Sequence, residues 1–306
     1  MGRFVVRRIA QGLLVVIGVT IMVFIFTRMV GDPAKTMLPL SATAEERAAF
    51  RHELGLDRPI SAQFADYIGD LASGDFGTSV WQRRPAIDAV LNALPNTFQL
   101  VLLAIAIAVL FGVPLGVLAA LRPGGALDRT AVVLSLAGLS IPQFWLGLLL
   151  IIAFSVTLNM LPTAGMGTPA HLILPTLTLA FPALGRIAMI VRSSMIDELN
   201  QQYVKTAKAK GMPRARVVGF HALRNASIPA LTLTGWELIR ALAGYSVVVE
   251  TVFAWPGVGF LADQALNNQD LILLQAIVFV VAVMVVVINV VIDVLYRAVD
   301  PRIKLV

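Results

Sequence analysis

Five ionisable residues, Arg186, Glu237, Arg240, Glu250 and Asp293, stand within or near the ends of long apolar stretches. A charge at the centre of a bilayer costs about 2.5–3.5 kcal/mol on insertion scales, so each must face protein or water rather than lipid. Glu237 and Arg240 are three apart, on one face of a helix, and can pair with each other. Two roles fit these residues. Arg186, Glu237 and Arg240 line a path for a polar solute, or they pair between helices and fix a bundle. Glu250 and Asp293 lie nearer the ends of their stretches and read as structural. Only Glu237 is a deep carboxylate, which argues against a proton relay. His52, His171 and His221 are too scattered for a metal cluster, and the absence of cysteine excludes disulfides and Cys-based metal or redox sites. No Ser/His/Asp or metal-ligand spacing supports a membrane enzyme. The phosphate-cradling GxxxxGK[ST] is absent too, so the chain itself is not expected to hydrolyse ATP or to hold a cofactor.

The second chemically distinct stretch runs from Asp197 to Pro229, DELNQQYVKTAKAKGMPRARVVGFHALRNASIP. It is polar, basic and helix-prone between apolar neighbours. Asn200 can cap a helix beginning at Gln201. Tyr203, Val204 and Ala207 form an apolar strip on that helix, and Lys205, Lys208 and Lys210 stay wet. Gly211 ends the helix and Pro213 prevents its continuation. A second helix runs from Pro213 through Arg224, and Ile228-Pro229 opens the next apolar run. Such a handle fits a partner's groove. It also fits the surface of anionic lipid, and composition does not separate the two.

The elements that must position these residues are membrane helices. Of 306 residues, 58% are hydrophobic and 14% charged, against roughly 45–50% and about 25% in soluble domains. Six apolar segments reach spanning length, at about 9–30, 96–121, 131–160, 172–195, 230–254 and 272–296. They lack the alternation of a barrel, so they are expected to be helices of one all-α, polytopic domain covering 1–306. The first run is longer than a signal-peptide core and no small-residue cleavage site follows, which points to an uncleaved first helix. Pro114, Pro142, Pro175 and Pro182 should bend their helices. Gly112 and Gly116 form a GxxxG that permits close helix contact.

The net charge of +6 is better explained by cytoplasmic loops than by nucleic acid. Arg3, Arg7, Arg8, Arg122, Arg129, Arg297, Arg302, Lys304 and the basic residues of the handle fall on one side of the membrane, with few acids. Asp32, Glu45, Glu46, Glu53, Asp57, Asp66, Asp70, Asp75 and Asp88 outnumber the bases on the other. Both termini and the loop 196–229 are therefore expected in the cytoplasm, and the segment 31–95 outside. Within 31–95, Thr43 and Glu46 make a capping box and Gly55 a C-cap, which predicts a helix over 44–54. Ile60, Phe64, Ile68 and Leu71 predict another over 60–73, ended by Gly74. Ile87, Val90, Leu91 and Leu94 repeat the theme before Pro95.

The handle resembles the EAA loop of ABC importer permeases, in which EAA is followed three residues later by Gly. Lys205-Thr206-Ala207 occupies the EAA place, then come Lys208-Ala209-Lys210 and Gly211. The first two letters differ, and the Ile-x-Leu-Pro expected after Gly arrives late, as Ser227-Ile228-Pro229. Both departures are similar to one branch, the peptide/nickel permeases for oligopeptides, dipeptides, nickel and glutathione. The start RFVVRR, Gly31-Asp32-Pro33, LGLDRPI at 54–60, GDFGTS at 74–79, LPNTFQL at 94–100, ETVFAWPGVG at 250–259 and DVLYRAVDPRI at 293–303 resemble the first, B-type permease of that branch along nearly the whole chain.

The resemblance implies a type I ABC importer permease fold in a bacterial or archaeal cytoplasmic membrane. It implies a paralogous permease as heterodimer partner, two ATPase subunits that hold ATP and Mg, and a periplasmic or lipid-anchored solute-binding protein. It also implies that the segment matching the coupling helix meets an ATPase: Gln201, Gln202, Tyr203, Val204, Lys205, Thr206, Ala207, Lys208, Ala209, Lys210, Gly211, Met212 and Pro213. The family motif gives no pore role to Arg186, Glu237 or Arg240. Peptides are the expected solute, with nickel chelates or glutathione as alternatives in the same family. An ion-driven secondary transporter is the rival from another class, against which stand the missing inverted repeat and the scarcity of core carboxylates.

Overall fold

A computed structural model of the chain describes residues 2–30, 43–53, 55 and 57–299. The motif Gly31-Asp32-Pro33, with Lys35, Leu54, Leu56, Asp300, Arg302 and Lys304, lies outside them. In chain order the helices are α1 (Gly2–Val30), α2 (Ala44–Glu53), α3 (Ile60–Ser73), α4 (Ala86–Ala120), α5 (Ala126–Ser140), α6 (Gln143–Leu150), α7 (Ala170–Leu199), α8 (Gln202–Ala209), α9 (Arg214–Arg216), α10 (Leu223–Arg240), α11 (Ser246–Val252), α12 (Val258–Asn267) and α13 (Leu271–Val299). Wider π turns at Ile151–Thr157, Val217–Ala222 and Ala241–Tyr245 extend α6, join α9 to α10 and join α10 to α11. The protein is predominantly helical.

Among the described residues, four helical segments are long and apolar enough to cross a membrane: Val6–Arg28, α4, α7 and Leu271–Val294. A fifth exists if α5 and the α6 segment count together, although they bend by 107°. The expected span 131–160 is thus bent sharply at Pro142, where a bend is expected. Ile141 is extended, with φ −80° and ψ 121°, since Pro142 disfavours the helical region for the residue before it. Pro114, Pro175, Pro182 and Pro229 sit inside helices that continue through them. Pro95 likewise does not end a helix. Ile87, Val90, Leu91 and Leu94, expected on a short amphipathic helix before Pro95, lie in the first turns of α4. Buried Ala89 and Val90 before Pro95, and Leu100 and Val101 after it, anchor the helix on both sides. The expected span 230–254 falls within α10 and α11. This run is not among the membrane-length apolar helices of the described residues; α10 carries Arg224, Glu237 and Arg240.

The chain forms two compact units. The first comprises residues 1–95 and 257–295. Its core joins Ala86, Ala89 and Val90 of α4 to Val258, Leu261 and Ala265 of α12 and Leu273, Ala276 and Ile277 of α13. Buried Asp270 organises its loop. One carboxylate oxygen accepts from Ser79 Oγ at 2.6 Å and Trp81 N at 3.1 Å, and the other caps α13 through Leu273 N at 3.0 Å. Gly77, at φ +74°, passes so close to Ile272 that a Cβ would lie 2.9 Å from its side chain. This explains the GDFGTS motif structurally. Helix α1 runs antiparallel to α13, tied by Arg8–Asp293 at 2.8 Å and by Gln275 Nε2 to Thr27 Oγ1 at 2.6 Å. The predicted helix at 44–54 is present as α2. Its capping box has Thr43 N donating to Glu46 Oε2 at 2.7 Å and Glu46 N to Thr43 Oγ1 at 3.2 Å. Helix α3 ends at left-handed Gly74, as its spacing predicts.

The second unit comprises residues 96–256 with the chain end from 296. Helix α7 lies at its centre, and small residues bring neighbours against it. A Cβ on Gly116 would lie 2.5 Å from the Ala188 carbonyl oxygen, and one on Gly112 3.1 Å from that of Leu184. The GxxxG of α4 is therefore a backbone-level contact with α7. On another face, Gly138 of α5 faces the Phe181 carbonyl while Gly185 of α7 faces that of Ser135, at 3.0 and 2.9 Å for an added Cβ. Ala183, Ile187, Val191 and Met195 continue this core toward Ala222, Ala226 and Ala230.

Candidate functional site

The handle is one folded piece built around a helix stop. Helix α8 starts after Gln201, which is extended at φ −67° and ψ 153°. Asn200 does not cap it, contrary to the sequence expectation. Asn200 is still helical and its Nδ2 donates to Ile196 O at 2.9 Å, so its side chain closes the end of α7 instead. At the other end Gly211 takes φ +75°. Gly211 N donates to Lys208 O at 3.0 Å and Met212 N to Ala207 O at 3.2 Å. These are the two bonds of a Schellman closure, and a hydrophobic contact completes it. Met212 packs on a cluster of Val204, Ala207 and Val217.

The apolar strip therefore faces inward. Val204 and Ala207 are buried against the chain's own following segment, while Lys205, Lys208, Ala209 and Lys210 are exposed. Gln201, Gln202, Thr206, Gly211 and Pro213 are exposed as well, and Met212 is half-buried. Tyr203 does not share the inward face. Its hydroxyl donates to Glu198, and Asn225 Nδ2 donates to that hydroxyl at 3.1 Å. Burial first, then the Glu198 carboxylate, push the Tyr203 phenol above its ordinary pKa. The two halves of the YVKTAKAKG…HALRNASIP pattern are thus joined through Tyr203 and Asn225. The second helix of the handle is not separate. Arg214–Val252 is one helical run with two π turns, and Ile228-Pro229 lies inside it rather than opening a new element.

The charged trio is brought together. Arg186 of α7 grips Glu237 of α10 with both arms, Nε to Oε1 at 2.7 Å and Nη2 to Oε2 at 2.6 Å. Glu237 is 1% exposed, Arg186 20%, and Arg240 50%, with Arg240 Nη1 3.8 Å from Glu237 Oε1. A bidentate pair is the geometry that offsets burial of two charges. It neutralises Glu237 with Arg186 and leaves Arg240 as a surplus positive charge at the edge of the cluster. Asp293 is paired with Arg8, consistent with a structural role. Glu250 is fully buried.

Two features have no counterpart in the sequence pattern. Arg192 of α7 pairs with Asp128 at the start of α5, with Nη2 to Oδ2 at 2.9 Å, and Gly124 N also donates to Asp128 Oδ2 at 2.8 Å. Nothing in the sequence links Asp128 to a residue 64 positions away. Asn96 Nδ2 donates to Pro256 O at 2.8 Å and Trp255 Nε1 to Asn96 O at 3.0 Å, which locks the LPNTFQL and ETVFAWPGVG motifs to each other. No group of three or more His, Asp or Glu suited to a metal ion occurs among the described residues.

Residues 112–305 match the family described as binding-protein-dependent transport system inner membrane component, and residues 1–101 match its N-terminal region. The oligopeptide transport system permease protein AppB of Bacillus subtilis is 37% identical, covering 99% of this chain and 100% of the relative. The di/tripeptide transport system permease protein DppB of Pseudomonas aeruginosa is 37% identical over 98% of each. The glutathione transport system permease protein GsiC of Escherichia coli is 38% identical over 98% of each. A chain of the inward-facing MetNI methionine ABC transporter aligns with TM-score 0.57 and 20% identity, covering 69% of this chain and 96% of that chain. That likeness concerns the fold.

Proposed function

We propose that this chain, which belongs to the family of binding-protein-dependent transport system inner membrane components and is a permease subunit of an ABC importer, moves peptides. The observation that carries this reading is the near-full-length similarity to permeases for oligopeptides and di/tripeptides. Glutathione is a second reading, favoured by the equal similarity of the glutathione permeases. Glutathione is itself a tripeptide, so the two readings share a chemistry of small zwitterionic or anionic amides.

In this reading the chain crosses the membrane six times, through α1, α4, the bent α5–α6 segment, α7, the α10–α11 run and α13. Both termini and the handle are cytoplasmic, as the distribution of Arg and Lys supports. A paralogous permease completes the path, and a solute-binding protein delivers the cargo from outside. Two ATPase subunits hold ATP and Mg. The handle, Gln201 to Pro213, meets an ATPase with the exposed side that carries Lys205 and Lys210, supported by the folding of Val204 and Ala207 inward. ATP-driven closure of the ATPases pulls the handle. Because Tyr203 and Asn225 tie α8 to α10, the pull reaches the run that carries Glu237 and Arg240. Arg240, half-exposed beside a buried pair, lines the path.

The test is reconstitution. The chain is purified with its candidate permease, ATPase and binding-protein partners, and uptake of a di- or tripeptide into liposomes is measured. ATP-dependent uptake that requires every partner supports the proposal. Uptake by the lone chain driven by an ion gradient overturns it, and ATP-dependent uptake of glutathione but not of ordinary peptides selects the second reading.

A further inference from the structure

Behind the handle lies a cavity of about 450 Å³, between the last turns of α4 and α7 and the segment 212–218. This volume falls within the roughly 300–1,000 Å³ of small-molecule sites. Its wall is mixed: Leu121, Ile196, Leu199 and Val218 supply apolar surface, and Asn200, Lys208 and Arg214 line it with polar groups. Both cations are exposed. Neither has a carboxylate partner among the described residues. Asp128 is engaged with Arg192 and Glu198 with Tyr203.

We propose that this cavity binds the head group of an anionic phospholipid, with its phosphate on Lys208 and Arg214 and the start of its acyl chains on Leu121, Ile196 and Leu199. Three observations favour a lipid over a soluble anion. The cavity sits where the apolar runs of α4 and α7 end, and both helices are long and apolar enough to cross a membrane. Its wall offers apolar surface that a free phosphate would leave unused. The two cations complement a phosphodiester, as in basic pockets between membrane helices that hold anionic head groups. A lipid seated there touches Lys208 and Met212 of the handle and Ile196 and Leu199 of α7 at once. It therefore fills the gap between the handle and the helix ends behind it. That consequence for coupling rests on the proposed role of the handle, whereas the binding itself does not.

The experiment measures binding on the purified full chain, so failure of the transport reading leaves it intact. Native mass spectrometry and thermal melting are followed with dioleoyl phosphatidylglycerol, dioleoyl phosphatidylcholine and inorganic phosphate. One phosphatidylglycerol is expected to be retained per chain, in preference to phosphatidylcholine, and to raise the melting midpoint. Phosphate alone should not raise it. Lys208→Gln with Arg214→Gln should weaken retention about thirtyfold, the equivalent of about 1 kcal/mol per basic residue. Lys205→Gln with Lys210→Gln, equally basic positions off the cavity, should not. Equal retention of the two lipids by the wild-type chain overturns the proposal whatever the variants do. So does equal loss in both double variants, or stabilisation by phosphate alone.

Discussion

Replacing Gly211 tests whether the handle works as a fixed shape. Gly211 adopts φ +75°, and a Cβ built there meets no atom within 4 Å. The cost of a side chain is therefore conformational and not steric. For an L-residue in the left-handed region it is about 1–2 kcal/mol. Two hydrogen bonds and the Met212 contact depend on that conformation. The buried cluster of α8 is small, three buried residues and Met212, so the local stability to be offset is also small. A loss of 1–2 kcal/mol multiplies the open fraction of the handle by roughly 5–30. Gly211→Ala should therefore speed hydrogen exchange of the Lys210, Gly211 and Met212 amides by about that factor. Gly211→Asn, which tolerates this region better, should speed it less. Gly219→Ala is the control, because Gly219 has neither a positive φ nor a neighbour within 4 Å of an added Cβ. In the reconstituted importer, solute moved per ATP hydrolysed should fall in the same order. Unchanged exchange in Gly211→Ala would refute the closure argument. Faster exchange with wild-type transport would leave the closure and remove its role in coupling.

Further perturbations address the rest of the fold. Gly116→Ala places a Cβ 2.5 Å from the Ala188 carbonyl oxygen and should destabilise by about 1–3 kcal/mol. Gly18→Ala, with open space around it, should not lower the melting midpoint in detergent. Glu237→Gln leaves Arg186 facing a neutral partner and should cost about 3–5 kcal/mol. Arg186→Met with Glu237→Leu should restore most of that stability, and a double variant as unstable as the single one would contradict the pair's assignment. Asp270→Ala removes acceptors from Ser79, Trp81 N and Leu273 N together. Protease cleavage within residues 76–85 should rise at a temperature where the wild type resists.

What is legible in the sequence depends on whether the signal is local. The capping box at Thr43 and Glu46, and the stops at Gly74 and Gly211, follow from one turn of backbone and stand as read. Asn200 misleads because a residue at the junction of two helices can cap either. The carbonyl of Ile196, one turn behind it in α7, holds its amide. Proline gives the wrong strength of signal. Pro142 bends the chain by 107° between α5 and α6 while Pro95, Pro175, Pro182 and Pro229 do not end their helices. A missing hydrogen bond is outweighed where buried neighbours hold both sides. The Asn96–Trp255 clasp and the Asp128–Arg192 pair leave no trace in the sequence, since no period or spacing relates residues so far apart.

The charged trio shows why the span count differs between sequence and structure. Composition treats Glu237 and Arg240 as penalties of about 2.5–3.5 kcal/mol each in a bilayer, and the run through α10 and α11 is not among the membrane-length helices. Geometry offsets the Glu237 part of the penalty, because both oxygens of Glu237 are held by Arg186 on α7 at 2.6–2.7 Å. A helix that brings its counter-charge from a neighbour is apolar only as a pair. It becomes acceptable in the membrane when α7 and α10 are packed together, as Ala183, Ala226 and Ala230 pack here. If the run crosses the membrane as proposed, a cysteine introduced at Thr251, half-buried in the last turn of α11, should react with a membrane-impermeant thiol reagent only from outside. One introduced at Asn225, exposed in the first turn of α10, should react only from the cytoplasm. Reaction of both from the same side would make α10–α11 a surface element and reduce the spans to those that composition alone selects.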